Sequence, residues 1–199
     1  MKLLFVSMIL VALASSTLGQ TQTEVPKCSL TLAQSPTIRG LRLGMEVEEV
    51  LQHFPDRSVD PAVRRLLLDA DKQFGVAKFM APTHPYSSEP KFAGISQFYF
   101  EFLDKRLSSF SVLYEGPEWN NVDEFISKLA DSLKLPSANN WTPSNLPTIK
   151  TLNCAGFEVK VFLGSPGSTS LQVRNPAAEQ TVRNRQKEVK ERARKEFKP

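Results

Sequence analysis

Ile95-Ser96-Gln97-Phe98-Tyr99-Phe100-Glu101-Phe102-Leu103, followed after Asp104-Lys105-Arg106 by Leu107-Ser108-Ser109-Phe110-Ser111-Val112-Leu113-Tyr114-Glu115, is the stretch that decides the fold. Aromatic or branched residues recur at every second position in both runs, which is the side-chain period of a strand with one face buried. The short polar connection predicts an antiparallel hairpin of 95–103 with 107–115 around a three-residue loop. It places Phe98, Phe100, Phe102, Phe110, Val112 and Tyr114 on one face, and that face is the expected core.

Working outward, the C-terminal side repeats the pattern. Phe157, Val159, Val161 and Leu163 alternate with Glu158 and Lys160, and Leu171 and Val173 follow in 169–174. A further short strand is expected at 149–153, and on the N-terminal side Ile38 to Met45 reads as a strand closed by glycine. Helices separate these blocks. Val47, Val50, Leu51 and Phe54 have helical spacing over 46–54, stopped by Pro55. Asp60-Pro61 predicts an N-cap with proline in the first turn, and a helix continuing to Phe74 with Val63, Leu66, Leu67 and Ala70 on one face. Asn121 with Glu124 is a capping-box-like start for a helix reaching Lys134. A strongly charged helix from about Pro176 closes the chain.

The expectation is an α+β protein, an antiparallel sheet with helices packed on one face and a charged C-terminal helix. Val47-Glu48-Glu49-Val50-Leu51 echoes Val122-Asp123-Glu124-Phe125-Ile126. Two readings of the echo stay open: tandem helix-then-sheet halves, or two amphipathic helices that share a common pattern.

The first residues bear on location. Met1-Lys2, the apolar run Leu3–Ala14 and the small residues before Gln20 make a secretory signal peptide over 1–19, cleaved after Gly19 or, as second choice, after Ser16. The run is shorter than the roughly 20 apolar residues a transmembrane helix needs. The predicted organisation is then 1–19 signal peptide, 20–37 extended lead-in, 38–176 a single α+β domain and 177–199 the charged helix. Export puts Cys28 and Cys154, the two cysteines, in an oxidising compartment, so they are expected to pair as a disulfide.

Charge separates the parts. Residues 20–178 carry 16 Lys/Arg against 17 Asp/Glu, while 179–198 carry 8 against 4. A nucleic-acid binder would place its basic stripe on the folded body, so no nucleic-acid partner is expected. The basic C-terminal helix offers at most weak contact with an anionic surface or a partner.

Catalytic signals are sparse. The motifs of serine hydrolases, zinc peptidases, thiol redox proteins and phosphate-binding loops do not occur in the chain. His53 lies off the apolar stripe of its helix and reads as a solvated surface histidine, and His84 lies in a proline-rich loop. No cofactor, metal ligand set or catalytic residue is expected. By alternation the side of the hairpin opposite the phenylalanines carries a polar and aromatic surface, in which Ile95, Tyr99, Glu101 and Leu103 are the candidate contact residues. Trp119 and Trp141 read as half-buried loop tryptophans.

Gly44-Met45-Glu46-Val47-Glu48-Glu49-Val50 resembles the helix-start motif of small bacterial envelope domains. These include the SmpA/OmlA (BamE-like) outer-membrane assembly lipoproteins and β-lactamase-inhibitor-like proteins. Gly44, Met45, Glu49 and Val50 match, Glu46 stands where serine or threonine is usual, and the lipoprotein cysteine is missing. The chain looks more like a bacterial secreted or periplasmic family for which resemblance supplies no activity. The resemblance implies a helix-on-sheet domain that binds other proteins, the partner being another envelope protein, and carries no catalytic residues. Two other classes stay open: an envelope enzyme with a site assembled from scattered residues, and a carrier of a small apolar ligand.

Overall fold

Alternation carries β2 (Ile95–Leu103) and β3 (Arg106–Tyr114) into one antiparallel hairpin. Phe98, Phe100, Phe102, Phe110 and Val112 are buried to 2% exposure or less. The connection has two residues where three were expected. Asp104 and Lys105 take φ of 49° and 65°, the left-handed pair of a type I′ turn, whose twist matches that of the strands. Lys105 has no glycine's tolerance for this conformation, and the cost is about 1–2 kcal/mol. The turn is held from outside, because Val47 N–H donates to the Lys105 carbonyl and Leu107 exchanges bonds with Gly44 and Met45.

The computed structural model describes residues 28–84, 90–165 and 168–197, so the expected signal peptide and residues 20–27 lie outside the described residues. The chain is an α+β protein. Its seven-stranded sheet runs β1 (Val76–Pro82), β2, β3, β7 (Thr169–Arg174), β6 (Glu158–Phe162), β5 (Ile149–Asn153), β4 (Thr142–Pro143), with every neighbouring pair antiparallel. Helices precede each meander: α1 (Val47–Gln52), α2 (Pro55–Val59) and α3 (Pro61–Leu68) before β1–β3, and α4 (Val122–Leu133) before β4–β7. The two meanders meet at β3 and β7, so the topology repeats helix-then-meander twice.

The inner face of the sheet and helices α1 and α4 share one core. Phe54, fully buried between α1 and α2, has ring centroids 5.3 Å from Phe92 and 5.5 Å from both Phe98 and Phe100. Truncating such a side chain costs about 3–5 kcal/mol. From α4, Phe125, Ile126 and Leu129 enter the same core. The Asn121 side chain caps this helix by accepting from Glu124 N–H at 3.0 Å. The Glu124 carboxylate reaches back to the N–H of Asn120 at 3.1 Å instead of to the cap itself.

Two local expectations are corrected. Ile38–Leu41 is a two-residue turn, not a strand, because Arg39 and Gly40 both take positive φ (54° and 88°) and Ile38 and Leu41 bond to each other. The helix begun at Asp60 and Pro61 stops at Leu68. A 3-10 turn over Ala70–Gln73 and left-handed Phe74 and Gly75 (φ 62° and 85°) then swing the chain into β1. Leu66, expected on the buried face of that helix, is 47% exposed. The expected charged C-terminal helix is present as α5 (Pro176–Glu196), apart from the helices of the inner face. It runs along the hairpin end of the sheet from β7 towards β1, where Arg185 donates to both Asp104 carboxylate oxygens (2.8 and 2.7 Å) and to the Phe74 carbonyl (2.8 Å).

The expected disulfide is present. Cys28 and Cys154 are bonded with Cα atoms 4.3 Å apart, fixing the lead-in to the bend between β5 and β6. Beside it Gly156 lies flat on the Leu32 backbone, and a Cβ there would come within 2.3 Å of the Leu32 nitrogen.

Candidate outer-face binding site

Strand register sets the side chains of the outer sheet face in rows. Lys78, Glu101, Ser109, Arg174 and Glu158 stand abreast on five strands. The next row is Met80, Tyr99, Ser111, Gln172 and Lys160, and beyond it come Pro82, Gln97, Leu113, Ser170 and Phe162. Ser109 and Ser111 of β3 and Ser170 of β7 are the short side chains among these rows, with larger ones on β1–β2 and on β6 to either side.

The first row is electrostatically closed. Lys78 Nζ lies 2.6 Å from Glu101. Arg174 forks onto both Glu158 oxygens (2.7 and 2.9 Å) and reaches Glu179 of α5 at 2.9 Å. The hydrogen bond to Glu158 raises the Arg174 pKa above its ordinary value, against the opposing effect of burial. The second row is open: Tyr99 is 50% and Met80 53% exposed. A cavity of 310 Å³ lies over it, lined by Met80, Tyr99, Glu101, Ser111 and Gln172 among others. An arrangement of paired charges, hydroxyls, an amide and two exposed apolar side chains can bind a surface by contact and hydrogen bonding. Its one carboxylate near the cavity, Glu101, is already occupied by Lys78.

The four candidate contact residues separate. Tyr99 and Glu101 sit on the outer face as alternation requires. Ile95 is corrected: the strand register shifts between Ile95 and Gln97, and Ile95 turns into the core at 1% exposure. Leu103 lies on the outer side but lines a cleft shared with Ala177, Ala178 and Thr181, so α5 partly roofs it. Sequence reading missed Met80, Ser111 and Gln172, because only cross-strand register brings β1, β3 and β7 beside Tyr99. It also missed Gln97, whose buried Nε2 has no partner among the described residues.

The histidines belong elsewhere. His53 is half-buried rather than solvated, its ring packed over Gly40, where a Cβ would come within 2.8 Å of Cε1. Burial, and then the charge of Lys91, lowers its pKa. His84 is exposed in its loop. Cys28 is committed to the disulfide, which removes it as a nucleophile for either histidine. Trp119 is half-buried against Phe125, but Trp141 is 2% exposed, with Nε1 donating to the Pro136 carbonyl at 3.0 Å.

Among the described residues no group of three or more His, Cys, Asp or Glu side chains could hold a metal ion, and no helix is long and apolar enough to cross a membrane. The fold and this surface define a disulfide-stapled α+β domain with one face of its sheet largely uncovered. Comparison with protein-family models, with curated proteins and with solved structures finds no match.

Proposed function

We propose that this chain is a non-catalytic, exported interaction domain that engages another envelope protein through the outer face of its sheet. The observation that carries the reading is the second row of that face. Tyr99 and Met80, each about half exposed, flank a floor of Ser111 and Gln172 beneath a 310 Å³ cavity. Amphipathic aromatic side chains beside small polar ones are the composition of contact surfaces. Export is supported by the disulfide, which persists in oxidising compartments, and by the leading positive and apolar residues.

A photo-crosslinking amino acid at Tyr99 or Ser111, in the full chain expressed in its native cell, tests the reading. One discrete crosslinked protein, found outside the cytoplasm and absent with the crosslinker at exposed Lys128 on α4, is the expected result. Equal crosslinking from Lys128, or none from either outer-face position, would count against it.

A further inference from the structure

The sheet has one long open edge. At the other end β4 has two residues and ends in Pro143, whereas β1 runs seven residues from Val76 to Pro82. Which backbone groups of β1 face outward follows from two hydrogen bonds that bracket it. Asp104 N–H donates to the Gly75 carbonyl, and Thr83 N–H donates to the Ser96 carbonyl. The β1–β2 register is unbroken between them. Backbone groups alternate sides along a strand, so Ala77, Phe79 and Ala81 bond to β2 and Val76, Lys78 and Met80 point away from it. The N–H groups of these three meet no backbone or side-chain acceptor among the described residues.

The N-terminal half of this edge lies in a cleft. A 520 Å³ space is bounded by Leu66 of α3, Phe74, Val76, Lys78 and, on α5, Val182 and Gln186. Leu66 is the residue whose helical spacing points to burial and which is 47% exposed, with Leu68 at 82% and Val59 at 64% nearby in sequence. The usual guards of an edge strand are lysine and proline. Here Pro82 ends the edge, and Lys78 is drawn across the outer face by Glu101 at 2.6 Å. Past Gln186 the α5 wall continues as a basic arm, with five Lys/Arg against three Asp/Glu in 187–197. Among the described residues Lys190, Arg192, Arg194 and Lys195 make no ion pair.

We propose that the open edge of β1, in the cleft between α3 and α5, receives an extended segment of a partner protein by strand addition. The segment carries apolar residues at alternate positions and acidic residues where it passes the α5 arm. Main-chain bonds to Val76, Lys78 and Met80 hold the added strand, and its alternate side chains fill the cleft against Leu66 and Val182. The inference rests on the interaction-domain reading but not on the outer face, from which it is separable.

The test uses the full mature chain and a phage-displayed library of random linear peptides about ten residues long. Enriched peptides are expected to share the alternating apolar pattern with an acidic flank. Bound, they should slow amide exchange at Val76, Lys78 and Met80. Met80→Pro or Lys78→Pro removes an outward N–H without breaking the β1–β2 ladder, and either should weaken binding at least tenfold, as should Leu66→Lys. Lys128→Ala, on α4 and away from the edge, should stay within about twofold. If a proline variant fails to fold, the exchange measurement on the wild-type chain still decides the matter. No enriched peptide, or peptides indifferent to both prolines, would overturn the proposal. So would a chain that dimerises alone with these N–H groups already protected, since a second copy would then hold the edge. Peptides sensitive to Ser111→Arg instead would overturn it while leaving the outer-face reading intact.

Discussion

Replacing both cysteines, Cys28→Ala with Cys154→Ala, removes the staple without leaving a free thiol, and its cost can be worked from the fold. The bond joins residues 126 apart in sequence. Closing a loop of that length removes chain entropy from the unfolded state equivalent to about 5 kcal/mol at 25 °C. Both residues are buried, at 5% and 8% exposure, and alanine keeps the site apolar, so the lost sulfur contacts add little. What remains to hold the lead-in is the packing of Leu30 against the core and the close approach of Leu32 to Gly156. With a urea m-value of about 2–3 kcal/mol/M, the denaturation midpoint should fall by about 2 M. Circular dichroism in urea, on wild-type and double-alanine chains in parallel, reads this out. A midpoint shift below about 0.5 M with an unchanged slope would refute the reasoning, because the unfolded chain would then be gaining little freedom when the staple is cut.

The remaining predictions follow the same geometry. Lys105→Gly relieves a left-handed lysine in the β2–β3 turn and should stabilise by about 0.5–1 kcal/mol in the same assay, the gain being trimmed by glycine's extra unfolded-state freedom. Gly156→Ala places a methyl against the Leu32 backbone and should lower the melting temperature clearly, since neither backbone segment can give way without disturbing the disulfide. Truncation after Gln186 keeps Arg185 on Asp104 and should move the melting temperature by no more than about 2 °C, as befits the loss of an exposed helical arm. For His53 the folded pKa lies below the ordinary 6.5, chiefly through burial and then through Lys91. The unfolded chain therefore takes up a proton that the folded chain resists. The stability contribution is full above 6.5 and declines as pH falls from there towards the lower folded value. His53→Gln should flatten that part of the stability–pH curve; an unchanged slope would show that His53 is not its source.

What was legible in the sequence is what periodicity encodes. The phenylalanine alternation of 95–103 placed the core, and Asn121 and Asp60 marked helix starts that their side chains do cap. Cysteine count and the expectation of a signal peptide together pointed to the disulfide. Periodicity failed where a single residue changes the phase. The shift between Ile95 and Gln97 turned a candidate contact residue into core, and the change to a 3-10 turn over Ala70–Gln73 ended at Leu68 a helix whose apolar pattern ran on to Phe74. The candidate surface was only half legible for a different reason. Tyr99 and Glu101 could be placed on a face by counting along one strand, but Met80, Ser111 and Gln172 become their neighbours only through pairing between strands distant in sequence. The position of α5 was hidden likewise, since the Arg185–Asp104 contact spans 81 residues and neither side chain advertises it.

Hydroxyl-radical footprinting tests the central claim most directly, comparing the chain inside intact cells of its source with the same chain purified. Met80 and Tyr99 are about half exposed and readily oxidised, so they report on the outer face, while Phe197, 74% exposed at the end of α5, gives a reference off that face. If the outer face is occupied by an envelope partner, oxidation of Tyr99 and Met80 should fall several-fold in the cell relative to Phe197. Equal oxidation of Tyr99 in the two settings, normalised to Phe197, would contradict the account.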